Sequence, residues 1–196
     1  MRLDEKIIFD NGGEKLELKK HEIIFRQGAM PRFFYQVAEG KVRMYNISDS
    51  GREYTQGTFD AGKSFGEPPL ILNKPYPAIA ESVHDAVVFR IPKNDFFNLL
   101  KNNEELNHRF MTLLAQRAYK KALINSEIII GTPEMRINCL LQIFKSEHKH
   151  EGELLVPYTR QEIANMTGLR VETVIRTINK MQRGKKIEIR DKKIFI

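Results

Sequence analysis

The stretch TRQEIANMTGLRVETVIRTINKM, from Thr159 to Met181, constrains this chain more than any other part of it. Apolar residues at Ile163 and Met166, then Leu169 after Gly168, then Val174, Ile178 and Met181 make two short helical faces separated by a glycine turn. That is the helix-turn-helix pattern, in which the second helix fits the major groove of DNA. Glu172, Arg176 and Lys180 recur every four residues and so stack on the exposed side of that helix. A carboxylate there can accept from a cytosine amine while the guanidinium donates to guanine O6 and N7. The competing reading is a solvated salt-bridge face on an ordinary surface helix, since Glu-x-x-x-Arg pairs also stabilise helices.

Charge decides between the two. The chain of 196 residues has a formal net charge of +7 and a sequence pI of about 9.4, which suits a polyanionic partner. From Thr132 onward 13 Lys and Arg stand against 8 Asp and Glu, whereas residues 1–131 hold 19 against 17. The positive excess lies with the two-helix motif, so DNA is the expected partner. The length suits two small domains. A single cysteine, Cys139, allows no internal disulfide and fits a reducing compartment. No apolar run is long enough to span a membrane and no signal-like segment opens the chain, so a cytoplasmic protein without membrane contact is expected.

Between Leu16 and Pro92 the pattern is that of a β-rich domain. Short apolar or alternating runs at 22–25, 33–38, 41–46, 53–59 and 86–91 are separated by turn signals at Gly28, Gly40, Gly51, Gly62 and Gly66. The links are too short for crossover helices, so an antiparallel sandwich or barrel is predicted. A short helix follows at Asp95–Lys101. A long one runs from Glu104 to about Ile128, with an apolar stripe of Leu106, Phe110, Leu113, Leu114, Ala118, Ile124 and Ile128. At 1.5 Å per residue it spans about 35 Å. Its stripe either packs on its own sheet or meets a partner helix, with Phe110, Leu113, Leu114 and Ile124 at the seam and Arg117, Lys120 and Lys121 on the flanks.

The remainder begins at Gly131-Thr132-Pro133-Glu134, a helix start with a capping hydroxyl, a preset first residue and a carboxylate at the positive helix end. Ile137, Leu140, Leu141 and Phe144 face inward on this helix, and a polar break is predicted over 145–152. Then come a strand at 154–158, the two-helix motif, and a two-stranded hairpin over 185–196 with its turn at Arg190-Asp191-Lys192. Lys185 and Lys186 are assigned to this wing as phosphate contacts.

These pieces together resemble the CRP/FNR family of bacterial transcription regulators. The resemblance rests on TRQEI…G…ETV..R, and on EIIFRQG, FFYQVAEGKVRMY and the Phe65-Gly66-Glu67 triplet in the family's order. It implies an α+β architecture: an N-terminal antiparallel β-roll of the cyclic-nucleotide-binding kind over 1–103, a dimerisation helix over 104–130 and a winged helix-turn-helix over 131–196. It further implies a homodimer on a palindromic double-stranded DNA site, an effector in the β-roll, and RNA polymerase as a further partner. The family's base-reading Glu and Arg match Glu172 and Arg176. Where CRP has an Arg just before that Glu, this chain has Val171, as FNR-like members do, so the CRP operator is not expected. Arg170, at the N-cap, cannot cap, but its charge could reach a phosphate or a flanking base, and Thr159, Arg160, Gln161 and Thr173 complete the expected DNA-contact set.

The sensor positions depart from the cyclic-AMP pattern. Members that bind the nucleotide follow Gly-Glu with an Arg-Ser pair about ten residues on. Here Gly66 and Glu67 are followed by Tyr76-Pro77-Ala78, with Lys74 as the nearest substitute cation. Tyr carries no positive charge at neutral pH and Pro has no N–H, so a cyclic phosphate would lack its anchor. Asn125, beside Ile124, falls about where adenine-facing hydroxyls stand in the family. An effector other than cyclic AMP, or none, is therefore expected. One cysteine cannot hold an iron–sulfur centre, and Cys139 is expected as a buried structural thiol. His148 and His150 have no third ligand nearby, so neither metal nor cofactor is expected. No nucleophile–base, P-loop or metalloprotease spacing supports an enzyme. The alternative from another class is a ligand-binding or protein-interaction module whose winged helix contacts protein.

Overall fold

The computed structural model of the chain describes residues 2–49, 51, 53–148 and 152–196, with the side chains of 123–130 and 147–148 excepted. The chain packs as two units, 1–116 and 117–196.

In the first unit α1 (Glu5–Asp10) precedes eight strands: β1 (Glu14–Leu18), β2 (Ile23–Phe25), β3 (Phe33–Glu39), β4 (Lys41–Ile47), β5 (Glu53–Asp60), β6 (Ser64–Phe65), β7 (Ile79–Ser82) and β8 (Ala86–Pro92). A short helix, α2 (Glu67–Leu72), sits between β6 and β7, and α3 (Lys93–Lys101) follows β8. Two antiparallel four-stranded sheets result, ordered β1-β8-β3-β6 and β2-β7-β4-β5. Their inner faces share a core of Phe25, Tyr35, Val37, Val42, Met44, Phe65, Tyr76 and Val88. The outer face of the first sheet is also covered: Phe34, Phe89 and Ile91 pack with Leu3, Ile8, Phe96, Leu100, Leu106 and Phe110. Burial on both faces explains why β3 and β8 read as near-continuous apolar runs instead of alternating ones. Each such Leu, Ile or Phe taken from water contributes about 1.5–3 kcal/mol.

The five expected strands are present. The sequence reading missed α1, β1, α2 and β7, and it took β6 for part of a turn. All are short, and each derives its stability from partners far along the chain. Gln36 shows how: buried in β3, its amide donates to the Leu3 carbonyl and accepts from the Leu3 N–H, each at 2.8 Å, pinning the N-terminal segment.

The long helix α4 spans Glu104–Ile130. The boundary between the two units falls inside it. Leu106 and Phe110 are buried in the first unit, Phe110 edge-on to Phe96 at 5.2 Å. Phe110 is therefore a core residue and not the seam residue expected. Ile124 and Ile128 lie outside the described side chains.

The second unit holds α5 (Pro133–His148), β9 (Leu155–Val156), α6 (Arg160–Thr167), α7 (Val171–Arg183), β10 (Glu188–Arg190) and β11 (Lys193–Phe195). Ile137, Leu141, Phe144, Val156, Ile163, Val174, Ile178, Met181 and Ile194 form its core. Three expectations are corrected. The helix after Pro133 continues through 145–148, where a polar break was predicted; charged side chains end an apolar stripe without ending a helix. The wing sheet has three strands, ordered β10-β11-β9, because Leu155 and Val156 pair with Phe195 and Ile194. Cys139 is half-buried, not fully enclosed. Among the described residues no helix is long and apolar enough to cross a membrane.

Candidate nucleic-acid interface and sensor core

The first helix of the motif is set by Thr159. Its hydroxyl accepts from the Glu162 N–H at 3.1 Å, and the Glu162 carboxylate accepts from the Thr159 N–H at 2.7 Å. This capping box was legible as Thr-x-x-Glu and satisfies two otherwise orphaned donors. Gly168 ends α6 in the left-handed region, φ 69°, with open space where a Cβ would stand. The turn needs glycine for its backbone angle, not for room. Leu169 and Val171 then pack on the core and aim α7. Arg170 occupies the N-cap with no side-chain cap bond.

Along α7, Val174, Thr177, Ile178 and Met181 are buried. Glu172 and Arg176 are exposed on the other side, and the side chain of neither makes a hydrogen bond or ion pair with a described residue. The salt-bridge alternative is therefore not what the structure shows at this pair. Thr173 is half-exposed beside them. Lys180 lies one turn further on, but its ammonium sits 3.1 Å from the Glu134 carboxylate in the first turn of α5. Arg160, at the start of α6, is half-buried without a partner among the described residues, and burial pulls its pKa down. Gln161 donates to Asn165 at 2.9 Å.

Lys185 and Lys186 are not on the wing. They close α7: the Lys185 N–H donates to the Gln182 carbonyl and that of Lys186 to Met181. Lys186 Nζ then reaches Glu134 at 2.7 Å. The wing turn proper is Asp191-Lys192, both at positive φ (49° and 64°), as a two-residue hairpin turn requires. Its exposed cations are Lys192 and Lys193, which have no partner among the described residues. Arg190 is held by Glu153 and Glu188 and lies over the Phe195 ring at 4.1 Å.

At the sensor end, Gly66 takes a left-handed φ of 78° ahead of α2, and a Cβ there would lie 3.2 Å from the Phe25 and Tyr76 rings. Glu67 is 1% exposed. Tyr76, expected to line an effector pocket, is 3% exposed and stacks on Phe25 with ring centroids 3.6 Å apart. Its hydroxyl has no hydrogen-bond partner among the described residues, and burial, with Tyr35 and Glu67 nearby, pushes its pKa well above the ordinary phenol value. Ala78 is fully buried, whereas Pro77 is exposed and its carbonyl accepts from Asn46 at 2.5 Å. Tyr76 and Ala78 are thus core residues, because an uncharged aromatic gains more from the Phe25 face than from a water-filled pocket. The Asn125 side chain lies outside the described residues. No cluster of metal-ligating side chains occurs among the described residues.

Residues 15–103 match the cyclic nucleotide-binding domain family, and residues 137–196 match the Crp-like helix-turn-helix domain. The regulatory protein HlyX of Actinobacillus pleuropneumoniae is 24% identical over 186 residues, covering 93% of this chain and 77% of that protein. The transcriptional activator protein FnrA of Stutzerimonas stutzeri is 25% identical over 183 residues, 91% of this chain and 75% of its own. In structure, a CooA variant from Carboxydothermus hydrogenoformans superposes with a TM-score of 0.81 at 16% identity, over 99% of this chain and 87% of that one. The ordered pair of domains, the relatives and the shared fold agree: the chain belongs to the CRP/FNR family of transcription regulators and carries that family's DNA-binding helix-turn-helix domain.

Proposed function

We propose that the protein is a homodimeric, sequence-specific regulator that reads one base step per half-site with Glu172 and Arg176. The observation that carries this reading is that both side chains stand exposed on the outer face of α7, without a partner among the described residues, behind a turn that fixes the helix. Thr159, Arg160, Gln161, Arg170 and Thr173 fit the flanking phosphate contacts, and Lys192 and Lys193 take the wing role first given to Lys185 and Lys186. A single recognition helix buries too little surface for tight specific binding, so a second copy about 34 Å away, one DNA turn, is required. Met111, Ala115, Ala118 and Ala122 recur on one face of α4 and are exposed, which suits a close helix pairing better than the buried Phe110 does. In this reading residues 1–103 are the sensor, 104–130 the dimer helix and 131–196 the DNA-binding head. The work is done in the cytoplasm, with RNA polymerase as the partner of the DNA-bound dimer.

The sensor answers to a ligand other than cyclic AMP, or to none, because Tyr76 is packed where the nucleotide's counter-charge would stand. Calorimetric titration with cyclic AMP and cyclic GMP checks this, and saturable micromolar binding would overturn it. Salt titration on random duplex DNA tests the head: log affinity should fall steeply with log salt concentration. A flat response would favour the protein-interaction reading. Light scattering tests the dimer, and a monomer at tens of micromolar, with and without DNA, would refute it.

A further inference from the structure

We infer that Glu134 keeps Lys180 and Lys186 from the DNA backbone and so raises the ratio of specific to sequence-independent binding. The inference rests on the reading of α7 as the DNA-facing helix. One carboxylate serves both lysines: Oε2 lies 3.1 Å from Lys180 Nζ and Oε1 lies 2.7 Å from Lys186 Nζ. Both pairs lie within the second unit.

Glu134 is fixed where it is by the start of α5. Thr132 caps that helix, its hydroxyl accepting from the Met135 N–H at 3.3 Å. A carboxylate in the first turn is favoured by the helix dipole. The two ammonium groups, Lys186 foremost, hold the Glu134 carboxyl below the usual carboxylate range, so it stays charged at neutral pH. The Glu134 side chain is 23% exposed, against 72% and 62% for the lysines, so the more enclosed partner sets the geometry.

Exposed pairs of this kind add little to stability. Their effect is on charge. Lys180 lies one turn beyond Arg176, on the same side of α7. Left free, two such lysines would attract any phosphate regardless of sequence. Bound to one carboxylate, they offer a single net positive charge, and a phosphate approaching either also meets the carboxylate. Arg176 and Glu172 have no partner among the described residues, so the base-reading pair is spared what the sequence-independent pair gives up. The result favours discrimination over raw affinity.

The test is the salt dependence of binding to random-sequence duplex DNA by the full chain. Each phosphate contact adds about 0.9 to the slope of log affinity against log salt. In Glu134→Gln the slope should steepen by about 0.9 per recognition helix, as the net charge of the cluster rises from one to two. Between 50 and 200 mM salt that is a further loss of roughly three- to fourfold. Adding Lys180→Gln and Lys186→Gln to Glu134→Gln should remove that gain and bring the slope to the wild-type value or below it. A Glu134→Gln slope that is unchanged or shallower overturns the inference; a shallower one would mean that Glu134 aims the lysines at phosphates. A steeper slope that survives the two lysine replacements overturns it as well. Glu134→Ser, a second neutral residue suited to a first helical turn, repeats the measurement should Gln impair folding. If the wild type shows no salt-dependent binding at all, the DNA-facing reading of α7 has failed, a result distinct from any of these.

Discussion

The two ends of this molecule treat their signature residues in opposite ways. In the DNA-binding head, the side chains of Glu172 and Arg176 stand in solvent with no partner among the described residues, while the apolar side of the same helix is buried. In the β-roll, Tyr76, at the position that the resemblance matches to the nucleotide binders' Arg, is absorbed into the core together with Ala78. An unpaired exposed charge costs little and is available to an incoming phosphate or base. A buried aromatic is already engaged and must be displaced before anything else can use its place. The head leaves its signature charges open to solvent, and this part of the sensor encloses its aromatic.

The contrast can be broken most decisively at Tyr76. Tyr76→Ala should cost about 3–5 kcal/mol in denaturant unfolding, as loss of a buried aromatic does. Arg176→Ala should change stability by no more than about 0.5 kcal/mol. Equal, small effects at both sites would mean that Tyr76 is no core residue.

Glu81 sharpens the sensor side. Burial alone would raise its pKa, but hydrogen bonds from Tyr45 at 2.8 Å and Arg43 at 2.8 Å, with the Arg43 charge and a bond from His21, hold it below the ordinary carboxylate value. Sharing that bond, Tyr45 is pushed up to about 12, chiefly by burial and then by Glu81. A carboxylate with a depressed folded pKa stabilises the fold above its unfolded value and loses that contribution as pH falls through the folded value. Glu81→Gln should therefore cost about 1.5–3 kcal/mol at neutral pH. The gap to wild type should begin to narrow as pH falls below about 4.3, the unfolded value, and close only below the depressed folded value, where the carboxylate is protonated in both states. A gap independent of pH would show that charge plays no part.

On the head, Arg176→Ala should lose about 1–3 kcal/mol of specific binding and relax the preference at one G·C pair per half-site. If affinity for random DNA falls equally, Arg176 does not read a base. The smallest effect is expected from Tyr76→Phe, which removes a buried hydroxyl without a partner among the described residues. Stability should hold or rise by roughly 1 kcal/mol, and a clear loss would reveal a hidden partner for that hydroxyl.

The chain's own order of residues determined the motif, the strand runs from Phe33 to Phe59, and the helix start at Thr132-Pro133. Each is a local pattern: a period, a glycine turn, a cap. Glu172 and Arg176 were legible for the same reason, since four-residue spacing on a helix settles which side chains share a face. Their freedom from one another was not, because Glu-x-x-x-Arg is equally a salt bridge until neighbours are placed. The tertiary structure alone decided that Phe110 packs on Phe96, that β9 joins the wing sheet, and that Lys186 leaves the wing for Glu134, 52 positions earlier. It also decided that Tyr76 fills the sensor core against Phe25. Periodicity names the face a residue occupies, but only the folded chain says what that face meets, and burial and charge pairing are properties of the meeting.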